Sequence, residues 1–299
     1  MTRDSSMSQA AWYGQVMQIT ELITRLNQGE FDRDITTEAE FKQQWLTIPT
    51  TSNPFVSAFH GGLLADRLSW VFIAAYQGAV RDCFPDIPDA SFASFAVSED
   101  QSGEFPGTSL DSNGRLNGCK SWIATSDTVE LLLVTLGPGI DSGCVSIAAN
   151  TSGVSISSKP AAAFLGDMSQ GRASFDHVLL NDSSIDAGRA MNFGLAEPFF
   201  VMTAGCAFLI KEGRRIDHPE IAQEAERIVD LLQSLYANDY TRDVKALLEV
   251  HNMLAPLGKQ CSTYFVDEGS WQSKDWQVNG RLLGIYGRSL RDRVSKLAG

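Results

Sequence analysis

Few residues in this chain are placed to do chemistry. The segment FAVSEDQSGEFPG, Phe95 to Gly107, passes from an apolar run into an acidic, glycine-rich loop, and NGCKSWIATSD, Asn117 to Asp127, follows it. Their hydroxyls include Ser98 and Thr125, and they carry the flat ring of Trp122, flanked by apolar Phe95, Val97 and Ile123. A planar ligand needs such a wall and a few fixed donors. The same residue types also satisfy turns and fill β-cores. A carboxylate, Glu197, precedes Pro198 at the head of an apolar run. Beside a ligand it would exchange protons; at a helix start it would complement the dipole.

Other chemistry is excluded by spacing. The five cysteines (Cys83, Cys119, Cys144, Cys206 and Cys261) contain no CxxC pair, so reduced thiols in a cytoplasmic protein are expected. The histidines His60, His177, His218 and His251 form no HExxH or close pair, and no metal site is expected. Asp267-Glu268-Gly269 reads as a solvated loop, and Arg288, Arg291, Arg293 and Lys296 as the solvated face of a final helix. A net charge of −12 opposes nucleic-acid binding. The polar first residues, MTRDSSMSQA, lack a signal peptide's apolar core. The longest apolar stretch, around EPFFVMTAGCAFLIKEG, falls short of the roughly 18 residues of a membrane span and reads as a buried helix.

The elements that must position these residues follow from periodicity. Trp12, Val16, Ile19, Leu22, Ile23 and Leu26 share one helical face, a second helix runs near Glu38 to Leu46, and SAFHGGLLADRLSWVFIAAYQGAVRDCF reads as one long helix ended by Pro85 and Pro88. After Ser91 come short β-branched and aromatic runs separated by Gly, Asn, Asp and Pro, with Asn113-Gly114 and Asn117-Gly118 as hairpin turns. From Met191 the helical period returns, and a last helix carries Val278, Leu282, Ile285, Tyr286, Leu290 and Val294. The expected class is α+β: an N-terminal helical domain (1–90), a middle antiparallel β-domain (91–188) and a C-terminal helical bundle (189–299).

Three anchors in that order resemble the acyl-CoA dehydrogenase family, whose members carry segments like Tyr-x-Val-Thr-Glu-Pro, Gly-x-Lys-x-Trp-Ile-Thr and Phe-Asp-x-Val. Here they read Phe95-Ala96-Val97-Ser98-Glu99-Asp100, Gly118-Cys119-Lys120-Ser121-Trp122-Ile123-Ala124-Thr125 and Phe175-Asp176-His177-Val178. The resemblance implies an FAD-dependent oxidoreductase acting on the CH–CH bond of acyl-CoA or another acyl thioester, assembled as a homodimer or homotetramer. It implies a flavin ring lined by Phe95, Val97, Trp122 and Ile123, with Ser98 and Thr125 as hydroxyl donors and Glu197 as the proton-abstracting base.

The chain also departs from that pattern. The family's usual Tyr-Glu-Gly loop reads Tyr286-Gly287, without the glutamate, and some members place the base on the helix that here carries Glu197. The family's Gly-Ser pair at the diphosphate reads Gly103-Glu104, and its glycine-rich turn has no counterpart in GKQCSTYFVDEGSW. Arg214 or Arg215 stands where an arginine serves the adenine half. The alternative implied is a non-catalytic relative that binds an acyl group or a protein partner without flavin chemistry. A third reading keeps the flavin for a different reaction.

Overall fold

In the computed structural model α1 (Gln9–Asn27) and α2 (Glu38–Trp45) precede two apolar helices, α3 (Pro54–Leu64) and α4 (Leu68–Cys83). The structure describes residues 9–49, 52–88, 90–180, 184–185, 190–265 and 270–298; Asp267 and Glu268 lie outside them. Local chemistry sets the starts. Thr37 and Glu40 form a capping box at α2, and Asn53 caps α3 with Pro54 in its first turn.

The run expected as one long helix is two. At the break Asp66 accepts the Ile35 N–H at 2.8 Å and the Arg67 Nε at 3.1 Å. The Leu68 N–H, an orphan donor at the head of α4, is taken by Asp275 Oδ2 at 2.9 Å. Asp275 belongs to α8 (Trp271–Asn279), so a distant carboxylate completes the start that the apolar period runs through.

After the sheets come α5 (Phe193–Arg215), α6 (Pro219–Ala237), α7 (Val244–Ser262), α8, and α9 (Gly287–Ala298). The expected last helix is interrupted by the 3₁₀ turn Gly280–Gly284. α5 is longer than its apolar letters suggested: 23 residues, enough by length and composition to cross a membrane. Yet 89% of its apolar window is buried inside the protein. It packs against α3, α4 and α6 in one core that includes Phe55, Phe59, Val71, Ala75, Phe199 and Phe200. Each large side chain so buried contributes about 1.5–3 kcal/mol before its entropy cost is set against it. The helices on either side of the sheets therefore form one body.

Between them lie β1 (Ala93–Ala96), β2 (Ser109–Leu110), β3 (Arg115–Ala124), β4 (Leu131–Thr135), β5 (Cys144–Ala148), β6 (Val154–Ser158), β7 (Gln170–Leu179) and β8 (Ser184–Ile185). One sheet has the order β1-β4-β5-β8 and the other β2-β3-β7-β6. The pairings are antiparallel except β1 with β4. Between those two strands the chain crosses into the other sheet, which is the kind of connection a parallel pair requires. A second apolar core, including Leu116, Ile123, Val134 and Phe175, lies among these strands.

Of the two expected turns only Asn113-Gly114 is one, closing the β2–β3 hairpin with Gly114 at φ 72°. Asn117-Gly118 lies inside β3, at a register shift between Leu116 and Gly118. Gly118 has φ 107°, and a Cβ there would stand 2.1 Å from the Gly107 carbonyl oxygen. The glycine is kept for a bulge and a close backbone approach.

Candidate functional site

The end of β1 and the length of β3 bring the two quoted segments side by side: the Ser98 carbonyl accepts the Ser121 N–H at 2.7 Å. Phe95 is buried, its ring 4.9 Å from Phe193 and 5.1 Å from Phe84. Its N–H donates to the Tyr76 hydroxyl at 2.9 Å, and that hydroxyl lies 3.3 Å from the Phe95 carbonyl. Trp122 is half-buried; its Nε1–H donates to Gln170 Oε1 at 3.0 Å and its ring meets Tyr76 edge-on at 6.0 Å. Val97 is partly buried, Ser98 is exposed, and Ile123 belongs to the core between the strands. Thr125 sits just beyond β3 with φ 53°. Its hydroxyl is buried and finds no hydrogen-bond partner among the described residues. An unsatisfied group of that kind costs about 1–3 kcal/mol.

Glu197 is not a helix cap. α5 begins at Phe193 with Asn192 as its N-cap, so Pro198 lies inside the helix and Glu197 sits about one turn past its first residue. Pro198 has no N–H for the Gly194 carbonyl, which the helix tolerates near its start. The Glu197 carboxylate accepts the Tyr286 hydroxyl at 2.6 Å. Burial raises the carboxyl above its ordinary range, and the Tyr286 bond only partly opposes this. Burial, together with the charge of Glu197, pushes the Tyr286 hydroxyl well above its ordinary value. Tyr76, also raised, chiefly by burial, feels the same charge. One side chain, Tyr76, thus links the Phe95 and Trp122 wall to the Glu197–Tyr286 pair.

Lys120, read only as a motif letter, is fully buried. Its ammonium donates to Glu99 Oε1, Thr135 Oγ1 and the Gly137 carbonyl, each at 2.8 Å, and to the Val97 carbonyl at 3.3 Å. Burial lowers the Lys120 pKa while Glu99 works the other way. Burial also pushes Glu99 up, but its bonds from Lys120 and Thr108 outweigh this and hold it low. This pair locks the strand end that carries Val97 and Ser98. A polar residue at a β3 position inside an apolar pattern was the available signal.

A flavin fits this arrangement at one end and not at the other. The ring end has the half-buried Trp122, the tied backbone of Phe95 to Ser98 and the orphaned Thr125 hydroxyl. At the diphosphate end the loop has filled itself: Asp100 accepts Ser102 Oγ at 2.6 Å and the Glu104 and Phe105 N–H groups at 2.9 and 3.2 Å. Those bonds, led by Ser102, hold Asp100 down to about 2. Amides that a phosphate would use already face a carboxylate. Arg214 is engaged by Asn27 and Glu226, and Arg215 by Glu212. Gly258 serves packing, lying under Leu283.

A cleft of about 650 Å³ opens elsewhere, at the C-terminal end of α5, between Leu26, Phe31, Asp66, Lys211, Arg214 and Trp271. Of the residues expected at the site from sequence only Arg214 and Arg215 line it, and none of the expected ring-contacting residues or Glu197 does. Lys211 there is buried, lowered to about 8 by that burial, and donates to the Leu63 carbonyl at 2.9 Å and to that of Ala65. Its evident task is to end α3.

No protein-family model and no curated protein matches the chain. Solved structures match throughout its length. The prolyl acyl carrier protein oxidase AnaB is 11% identical with a TM-score of 0.68, covering 96% of this chain and 99% of that one. PigA with FAD and proline is 12% identical with a TM-score of 0.64, covering 100% and 99%. Butyryl-CoA dehydrogenase from Megasphaera elsdenii is 9% identical with a TM-score of 0.64, covering 99% of each. At such identities the likeness establishes the fold: helices, sheets and helices arranged as in acyl-CoA dehydrogenases.

Proposed function

We propose that this protein is an acyl-CoA dehydrogenase-like flavoprotein, an oxidoreductase acting on the CH–CH bond of an acyl thioester, with Glu197 as its base. The observation that carries the reading is the Glu197–Tyr286 pair. In the place of the family's Tyr-Glu-Gly loop the chain keeps the tyrosine, and that tyrosine donates to a part-buried carboxylate on another helix. A desolvated glutamate held by one hydroxyl is a stronger base than an exposed one, and its raised pKa moves it toward neutral pH.

A flavin held there would supply the hydride acceptor for the β-carbon. Trp122 and the backbone of Phe95 and Val97 would wall its ring, Thr125 would supply a hydroxyl and Ser98 a donor at the rim. Glu197 takes the proton α to the thioester carbonyl, and Tyr286 keeps the carboxylate aimed. FAD is the cofactor named in the PigA structures of this fold, which supports the same class here. The five free, buried thiols support a cytoplasmic setting. Exposed Leu231, Val278 and Ile285 on the C-terminal helical segments support assembly into a homodimer or homotetramer.

A non-catalytic, acyl- or partner-binding relative is the second reading, and the carboxylate of Asp100 inside its own amide loop favours it. The visible spectrum of the purified protein, before and after FAD is added, separates the two. Flavin bands with stoichiometric FAD support the enzyme, and Glu197→Gln then lowers acyl-thioester turnover by about 10²–10⁴-fold. Colourless protein that ignores FAD removes the enzyme reading.

A further inference from the structure

We propose that Arg172 forms an anion subsite on the open face of the β3–β7 pair, taking a phosphate ester carried by a flat ring that lies against Trp122. The proposal deepens the flavin reading above and rests on it.

The strand alternation places the residue. Along β7, Gly171, Ala173 and Phe175 are buried, whereas Gln170, Arg172 and Ser174 are partly exposed on the opposite face. Trp122 shares that open face, because its Nε1–H reaches Gln170 Oε1. The pairing puts Arg172 across from the irregularity in β3: Lys120 faces Ala173 and Ile123 faces Gly171, so Ser121 and Trp122 stand opposite Arg172. Arg172 is thus a cross-strand neighbour of the aromatic wall.

Its guanidinium is positioned and unspent. The Cζ lies over the Phe105 ring, 3.6 Å from its centre, a cation–π contact that holds the group in place. Nε is buried and without a hydrogen-bond partner, and Arg172 makes no ion pair among the described residues. Arg25, Arg67, Arg214, Arg215, Arg227 and Arg242 each pair with a carboxylate. The acids of the nearby segments are turned elsewhere: Glu99 to Lys120 and Thr108, Asp100 to its own loop, Asp127 to Ser158. Glu104, exposed beside Phe105, does not pair with Arg172. A second cation stands close, since the Lys159 ammonium donates to the Ser121 carbonyl at 2.6 Å.

A planar, forked, permanently charged donor next to an indole suits a ring bearing a phosphate. It also meets a need that the loop leaves open. With the amides of Glu104 and Phe105 bonded to Asp100, the anionic part of a flavin nucleotide has no backbone nest there, and Arg172 offers the charge instead.

The test is a titration of the whole protein with FAD, FMN and riboflavin, read by quenching of tryptophan fluorescence and by flavin anisotropy. The phosphate-bearing flavins are expected to bind about tenfold or more tightly than riboflavin. Arg172→Gln is expected to erase that preference while leaving riboflavin affinity unchanged, and Arg172→Lys to keep part of it. Equal binding of all three flavins by the wild type overturns the proposal, as does a preference that survives in Arg172→Gln. If Arg172 serves only the Phe105 stack, Arg172→Gln lowers the thermal midpoint and leaves flavin selectivity alone, which also overturns it. Binding without phosphate selectivity defeats this inference and spares the flavin reading; absence of binding by any flavin defeats both.

Discussion

Asp275 is a carboxylate whose burial makes stability depend on pH in a direction opposite to the common one. It accepts the Leu68 N–H through one oxygen and the Asn279 amide through the other, at 2.9 and 2.7 Å. Burial, the largest influence, raises its pKa from 3.8 to about 6. The folded protein therefore holds this proton more tightly than the unfolded chain does. The resulting stability is full below the unfolded value and is lost as pH rises through about 6. Linkage over that interval amounts to about 3 kcal/mol in all, of which about 2 kcal/mol falls between about pH 4.5 and about pH 7.5. Asp275→Asn removes the titration, and its amide must turn one donor toward another donor, costing about 1–3 kcal/mol. The useful quantity is consequently a double difference. Urea unfolding of wild type and Asp275→Asn at both pH values is expected to show the variant gaining about 2 kcal/mol relative to wild type on going to the higher pH. A difference between the two proteins that stays constant with pH, or that moves the other way, refutes the reasoning.

Two further perturbations probe the segments around the site. Lys120→Met leaves Glu99 without its ammonium and is expected to cost about 3–5 kcal/mol, read by chemical denaturation. Thr125→Val removes a hydroxyl that has no partner within the described protein, so stability is expected to hold or to rise, by up to about 1–3 kcal/mol. The same variant is expected to weaken flavin binding, a split between melting and titration that a purely structural threonine would not give.

The order of helices, strands and helices was legible because burial imposes period and the periods change near Ser91 and Met191. The site was legible in its parts and not in its assembly. Nothing local announces that Asp275 completes the start of α4, since its partner Leu68 is 207 residues away. Asn117-Gly118 shows the right conformational freedom in the wrong setting, because a left-handed glycine serves a bulge as well as a hairpin. Glu197-Pro198 looks like a helix start, yet the helix begins earlier, at Phe193, and packing carries it through the proline. Tyr286 gains its meaning only from Glu197, 89 residues earlier in the chain. Lys120 and Arg172 sit at strand positions where sequence patterning reports only polarity, and partners decide the rest.

The union of early and late helices in one core also bears on how the chain is made. α3 and α4 are buried on nearly every side, and their largest cover is α5. On the ribosome that cover emerges only after the stretch between Cys83 and Phe193, which at about 5–20 residues per second takes roughly 5–20 s. Until then two greasy helices wait without their partner while the strands are already free to pair. The nascent chain is thus expected to need a holding chaperone during this interval, and its yield should depend on elongation rate through the strand-coding region.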